Sequence, residues 1–403
     1  MKQYTLKEKI QAMGPGLLVV GSFIGPGTVT SSTRAGANFG YQLLWCVAFS
    51  VIAVIVLQGM ASRLGIVTQK GISENLIEEL KGYPVLKNFM VFLVAAAILL
   101  GGVAYMSGDL TGTAVGISAL TGLPTKVIAI LWGFCILFLN AQENAIKKLE
   151  GLLTVCVSIM ALVFVITMFV VKPNWGEVFS GLIPTVPAGA IMNCVALIGT
   201  TVVPYNLFIH ATSSRQTWKD PDQIPLAEFD VKCSMIIGGI ITAAIMVTSG
   251  AVMRGMEVNS AIDMAVQLEP LLGNLSVPFL ATGLIAAGIS SAVITPLGVS
   301  YVFAGLFGWE LSKKDKRYFF TNIGIVVFGI FGAATGFNPL TIIMAAQAVN
   351  GVFLPVSVAV LVWLASKSSV MGQYKNKLHQ TILGAAVFGI SLIIGVSSVM
   401  SLF

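Results

Sequence analysis

Apolar residues run along this chain in long blocks separated by short polar or glycine-rich breaks. Stretches 44–62, 89–107, 151–171, 235–253 and 381–399 each hold close to the ~20 apolar residues that cross a bilayer as a helix. Reading the blocks and their punctuation predicts about eleven spans: 12–40, 42–62, 86–121, 125–140, 146–171, 184–212, 231–253, 276–307, 318–336, 339–365 and 380–402. The pattern is that of an all-α polytopic membrane protein forming a single transmembrane domain. Two spans are interrupted: the first by Gly25-Pro26-Gly27 within "GSFIGPGTVTSS", the sixth by Pro204 within "GTTVVPYN". Lipid offers broken backbone no hydrogen-bond partners, so such breaks belong where protein encloses them. The two lie five spans apart. Each therefore takes the same place in a five-plus-five repeat, with one half at about 12–171, the second at about 184–365 and an extra helix at about 380–402. Proline kinks alone could explain either break, but matched interruptions in two halves mark a transporter's substrate site.

Composition agrees: 56% of residues are hydrophobic and 10% charged, against about 25% charged in soluble domains. The net charge of +6 raises the question of nucleic acid, and the distribution of charge answers it. With the N-terminus inside, nineteen Lys and Arg fall on the cytoplasmic side. Only Lys126, Lys172 and Arg254 fall outside, with Arg34 inside the first span. That asymmetry predicts a multi-pass plasma-membrane protein with a cytoplasmic N-terminus and an external C-terminus. Its partners are then the bilayer and a small solute or ion, not nucleic acid, and a monomer is expected. Lys2, Lys7 and Lys9 precede the first apolar run without a small-residue cleavage site, which fits a retained helix.

Five cysteines stand singly and only two histidines occur, so neither a disulfide framework nor a zinc site is expected. No phosphate-binding loop, nucleophile elbow or histidine cluster is present. The chain reads as a non-enzyme without cofactor, driven by a gradient, with H⁺ or Na⁺ as possible coupling ions. The stretch "SSRQTWKDPDQIPLAEFD" is the longest polar segment and is expected to be a solvated connector.

Four stretches carry a family resemblance. "GPGLLVVGSFIGPGTVTSSTRAGANFGYQLLW" resembles the first helix of the Nramp metal transporters, whose Asp-Pro-Gly-Asn signature reads Gly25-Pro26-Gly27-Thr28 here. "VVPYNLFIHATSSR" resembles their sixth helix, with Met-Pro-His-Asn replaced by Val203-Pro204-Tyr205-Asn206 and His210 at a further histidine position. "AAGISSAVITPLG" is similar to the eighth helix and "AAQAVNGVFLPVSVAVLVWLASKSSVMGQYKN" to the tenth and its following loop. The resemblance implies a LeuT-like fold of inverted repeats, broken helices 1 and 6, and alternating access.

It also implies where substrate binds, and there the chain departs from the family. The Asp, Asn and Met that hold metal stand as Gly25, Thr28 and Val203, while Gln347 in helix 10 is retained. A divalent ion needs oxygen or softer donors with enough charge to replace its water. No carboxylate is expected at the break, so no metal ligand set is predicted. The favoured substrate is a small organic solute, an amino or carboxylic acid. Bare amides beyond Pro26 could meet its anionic group, and Gly25, Pro26, Gly27, Thr28, Thr200, Val203, Tyr205, Asn206 and Gln347 would line the pocket. A divalent cation such as hydrated Mg²⁺ is the alternative, and a non-transporting receptor a remote one.

Asp109 lies well inside the third span, where an ionisable group suggests function, often proton relay. It matches the Glu of the family's Asp-x-x-Glu pair, whose Asp is Met106 here; a structural acid is the competing reading. His210 titrates near neutrality in principle, although a hydrogen-bonded structural histidine is the plainer reading. Ser290 and Ser291 form a hydroxyl pair of the kind that holds Na⁺ in this fold. Arg34 is expected to snorkel to the outer interface, and Glu143 to pair with Lys147 one turn on.

Overall fold

The computed structural model describes residues 4–141, 145–312 and 314–400, without the side chains of 18, 22, 23 and 141–150. The expected Glu143–Lys147 pair lies outside the described residues. Regular structure among the described residues is helical. In chain order the helices are α1 (Leu6–Gln11), α2 (Pro15–Phe23), α3 (Pro26–Phe39), α4 (Leu44–Thr68), α5 (Ile72–Glu79), α6 (Pro84–Thr121) and α7 (Thr125–Ala141). There follow α8 (Ala145–Val170), α9 (Trp175–Ser180), α10 (Ile191–Thr201), α11 (Pro204–Thr217), α12 (Ile224–Val252), α13 (Ala261–Ala265) and α14 (Glu269–Leu272). The chain closes with α15 (Ser276–Phe307), α16 (Lys316–Ala333), α17 (Pro339–Ser366), α18 (Ser368–Met371) and α19 (Leu378–Met400).

Each of the eleven predicted spans coincides with one of these helices or with a broken pair. Among the described residues eight helical segments are long and apolar enough to cross a membrane, the joined segment Ile191–Thr217 among them. The first span is divided between α2 and α3, the fourth is the shorter α7, and the ninth, α16, opens on the cations Lys316 and Arg317. The 38-residue α6 is the central post: α15, α16 and α17 pack along it, while α3 and α10 sit against α12 and α17.

The two breaks share one local geometry. At the end of α2, Ile24 leaves the helix at ψ 71° and Gly25 is extended (φ −117°, ψ −173°) before Pro26 starts α3. At the end of α10, Val202 leaves at ψ 72° and Val203 is extended (φ −77°, ψ 124°) before Pro204 starts α11. The cause is the proline. Its ring excludes the helical conformation from the preceding residue, while at the first helical position its missing N–H costs nothing. Gly25 is therefore not required for its conformational freedom, since any residue adopts an extended backbone.

The polar stretch expected as a solvated connector is mostly helix. α11 runs to Thr217 and α12 starts at Ile224, leaving a short link that holds a single turn of 3₁₀ helix at Pro221–Gln223. Asp230 in that stretch is fully buried. It accepts hydrogen bonds from the backbone N–H of Gly16 (2.7 Å) and Gly14 (3.2 Å). A carboxylate there satisfies orphan donors at the start of α2 and complements its dipole, which explains why an acid is spent inside the protein.

Candidate functional site

The breaks face each other inside the bundle. Every residue from 24 to 33 and from 199 to 212 is buried. The Thr28 and Thr200 hydroxyls join the halves directly, 2.8 Å apart. Asn206, Val203 and Tyr205 are buried beside them. Val203 contributes only an apolar wall, consistent with its lack of a donor.

Two intact helices complete the enclosure. On α17, Gln347 is fully buried, and neither its Oε1 nor its Nε2 has a hydrogen-bond partner among the described residues. Its amide lies over Gly27, where a Cβ would collide with it, and a Cβ at Gly108 of α6 would stand 3.6 Å from its Nε2. A buried primary amide with all its polar atoms unmatched costs several kcal/mol unless something polar arrives. Gln347 is thus aimed at the space the breaks enclose.

On α6, Asp109 is buried and surrounded by hydroxyls. The Ser291 Oγ donates to its Oδ2 at 2.9 Å and the Thr295 Oγ1 to the same oxygen at 3.0 Å. The Tyr205 hydroxyl lies 3.0 Å from Thr295 Oγ1, which ties α11 to the acid through one intermediate. Among the described residues Asp109 has no ion-pair partner. Ser291 reaches the break as well: a Cβ at Gly25 would stand 3.7 Å from Ser291 Cβ and Oγ. The carboxylate is therefore one hydroxyl away from Gly25. The sequence offered no acid at the break itself; the structure brings Asp109 within one hydroxyl of it. Close approach of α6 depends on Gly112, whose Cβ would strike the Pro26 ring.

The serine pair is split by the helix. Successive residues point about 100° apart, so Ser291 turns to Asp109 while Ser290 stays half-buried and outside the cluster. His210 departs from the hydrogen-bonded structural role. Its ring is fully buried, and neither nitrogen has a partner among the described residues. Arg34 is half-buried at the far side of α3.

Two members of the cluster escaped the sequence reading. Thr295 lies one turn beyond Ser291 on the same face of α15, and Tyr105 lies one turn before Asp109 on α6. Tyr105 faces Thr200 and Ser291 and meets the Tyr205 ring edge-on, centroids 5.8 Å apart. The i, i+4 spacing from an already suspicious residue is the signal that could have found both.

With the geometry in place, comparison with known proteins is informative. Residues 16–401 match the Nramp family, described as natural resistance-associated macrophage protein-like. The natural resistance-associated macrophage protein 2 homolog of Dictyostelium discoideum is 26% identical over 96% of this chain, which spans 62% of that relative's length. The divalent metal cation transporter MntH of Caldanaerobacter subterraneus is 25% identical, covering 96% of this chain and 92% of its own. The crystal structure of the Eremococcus coleocola manganese transporter, in complex with an aromatic bis-isothiourea substituted compound, superposes with a TM-score of 0.81 at 21% identity. That alignment covers 100% of this chain and 89% of the other. A match along nearly the whole chain, on the same LeuT-like fold, leaves one conclusion: this protein belongs to the Nramp family of multi-pass membrane transporters, and not to the enzymes.

Proposed function

We propose that the protein is a gradient-driven transporter of a divalent cation, bound with part of its water shell where the two breaks meet α6 and α17. The observation that carries this reading is the burial of Asp109 one hydroxyl away from Gly25. A lone carboxylate with neutral oxygens around it, from Gln347, Thr28 and Thr200, suits an ion that dehydrates reluctantly, and Mg²⁺ is the best fit. No group of three His, Cys, Asp or Glu side chains that could hold a metal occurs among the described residues. With Val203 offering no soft donor, a selective Mn²⁺ or Fe²⁺ site is disfavoured. The metal transporters among the relatives support a cation as cargo.

Transport on this reading proceeds by alternating access, the repeats rocking about the buried breaks, with the N-terminus cytoplasmic and the C-terminus outside. Coupling to H⁺ through Asp109 and His210 is preferred to coupling to Na⁺, because Ser290 does not join Ser291 at the cluster.

A small amino or carboxylic acid is the second reading. It is favoured by the opening of α3 at Pro26, which carries no side-chain cap, because a helix N-terminus receives anions. Uptake into proteoliposomes separates the two. Mg²⁺ influx along an imposed gradient, unaffected by amino and carboxylic acids, is expected; organic-acid uptake with no cation flux would establish the second reading instead.

A further inference from the structure

A cavity of about 320 Å³ opens between α4, α12 and α19, at the end of the molecule where basic residues are concentrated. Its wall changes character along the bundle axis in the same order on α4 and α19. On α4, Arg63 stands near the helix end, with Ile55 and Val56 about two turns deeper. On α19, His379 opens the helix and Leu383 follows one turn in. On α12, Glu228, Val231 and Lys232 lie toward the start of the helix. α12 and α19 start at this end and α4 finishes there, so the shared order reflects depth and not chain direction.

The polar end is built. Arg63 donates from one Nη to Gln380 Oε1 at 3.0 Å and from the other to Asn376 Oδ1. Its Nε is buried with no partner among the described residues. These bonds use two of its five N–H donors, so a guanidinium pinned in place keeps donors for an oxyanion. Lys232 is 59% exposed and is held only loosely, at 3.8 Å, by Glu228 of the same wall. Two permanent cations therefore face one carboxylate, and the balance favours an anion. The apolar floor is uncovered, with Leu383 43% exposed.

A ligand matching both ends carries a phosphate at one end and hydrocarbon at the other. We propose that this cavity binds the headgroup of an anionic phospholipid. Its phosphate sits on Arg63 and Lys232, and its acyl chains follow Ile55, Val56 and Leu383 toward the bilayer centre. Basic pockets between membrane helices recognise lipid headgroups by this combination. The balance of charge selects an anionic lipid over a zwitterionic one, whose ammonium would meet Lys232. The bound lipid would bridge α4 and α12 to α19, which lies outside the two repeats.

The test uses the full chain in detergent, with native mass spectrometry reading retention of phosphatidylglycerol against phosphatidylcholine. Phosphatidylglycerol is expected to be retained preferentially, and Lys232→Gln to weaken it roughly fivefold, the contribution of one basic side chain near such a headgroup. Glu228→Gln should strengthen retention, an effect that a merely destabilising substitution does not produce. Arg63→Gln should weaken it further; because this variant also breaks the link to α19, Lys232→Gln and Glu228→Gln decide the question should it fail to fold. Unchanged lipid preference in both of those variants overturns the proposal. So does displacement of the lipid by inorganic phosphate or glycerol phosphate at equal concentration, which would make the cavity a soluble-anion site.

Discussion

Ser291 touches two things at once: it donates its hydroxyl to Asp109 at 2.9 Å across α15 and α6, and it lines the position of Gly25 at 3.7 Å. That relationship decides how the substituted metal motif is read. Gly25 carries no carboxylate, yet one from a different span lies a single hydroxyl away from it.

Asp109→Asn removes the charge while keeping the size and an oxygen acceptor for Ser291 and Thr295. Cation uptake is expected to fall at least roughly a hundredfold, since a divalent ion in a low-dielectric site loses its one anionic partner. Thermal stability should hold or rise, because a buried charge without a cationic partner is costly in the empty protein. Proteoliposome flux and a melting curve read the two effects separately. Retained uptake would falsify the assignment of Asp109 to the substrate site.

Gly25→Asp should be accommodated, because the backbone there is extended and the nearest side-chain atoms leave ordinary van der Waals room. The introduced carboxylate is expected to tighten Mn²⁺ binding by roughly tenfold or more. Without metal it repels Asp109 and lowers the melting temperature, and Mn²⁺ should restore it. Calorimetry with and without Mn²⁺ checks both; absence of any Mn²⁺ effect places Asp109 too far from the break to share a ligand with it.

Gly27→Ala drives a methyl group into the Gln347 amide. The atoms struck are the end of a flexible side chain, so swinging the amide aside costs at most about 1–3 kcal/mol, and transport should fall as the amide leaves its place. Adding Gln347→Ala makes room for the methyl, so the double variant is expected to recover stability but not transport. A double-mutant cycle on melting temperature measures the coupling.

Outside the membrane-spanning helices, Lys367 reaches Glu79 at 2.7 Å. The hydrogen bond from Lys367 holds the Glu79 carboxyl below the usual carboxylate range, burial opposing and Ser369 assisting. A depressed carboxylate contributes stability above its unfolded pKa of about 4.3 and loses it as pH falls through the lower folded value. The pair is partly exposed and screened, so it contributes no more than about 1 kcal/mol. Lys367→Gln should melt slightly below the parent at pH 7, and the two curves should converge in acid. A gap that persists in acid assigns the effect to packing.

Much of the fold was legible in the chain. A helix in lipid must satisfy its backbone internally and span a fixed thickness, so apolar runs of the right length announce the spans almost one for one. Pro26 and Pro204 announced the breaks just as directly. The error over 213–230 came from reading polarity as exposure: Asp230 is polar because it caps α2 from inside the protein.

The site was legible only in part. Gly25, Thr28, Val203 and Gln347 could be placed because each lies in a motif of neighbouring residues. Asp109 stood out as a charge in an apolar span, but its distance from Gly25 depends on how α6 and α15 cross, which no local pattern encodes. Tyr105 and Thr295 are ordinary residues until that crossing brings them to the acid. By itself the sequence determined the number of spans, the two breaks, the family and the missing metal ligands, because each of these is written in local composition and short motifs. The tertiary structure alone decided that a carboxylate lies one hydroxyl away from Gly25, that Ser290 and Ser291 part company, and that Gln347 and His210 are buried without hydrogen-bond partners among the described residues. Those facts arise from helix packing over separations of hundreds of residues, where close approach at glycines and the direction of each side chain fix what meets what.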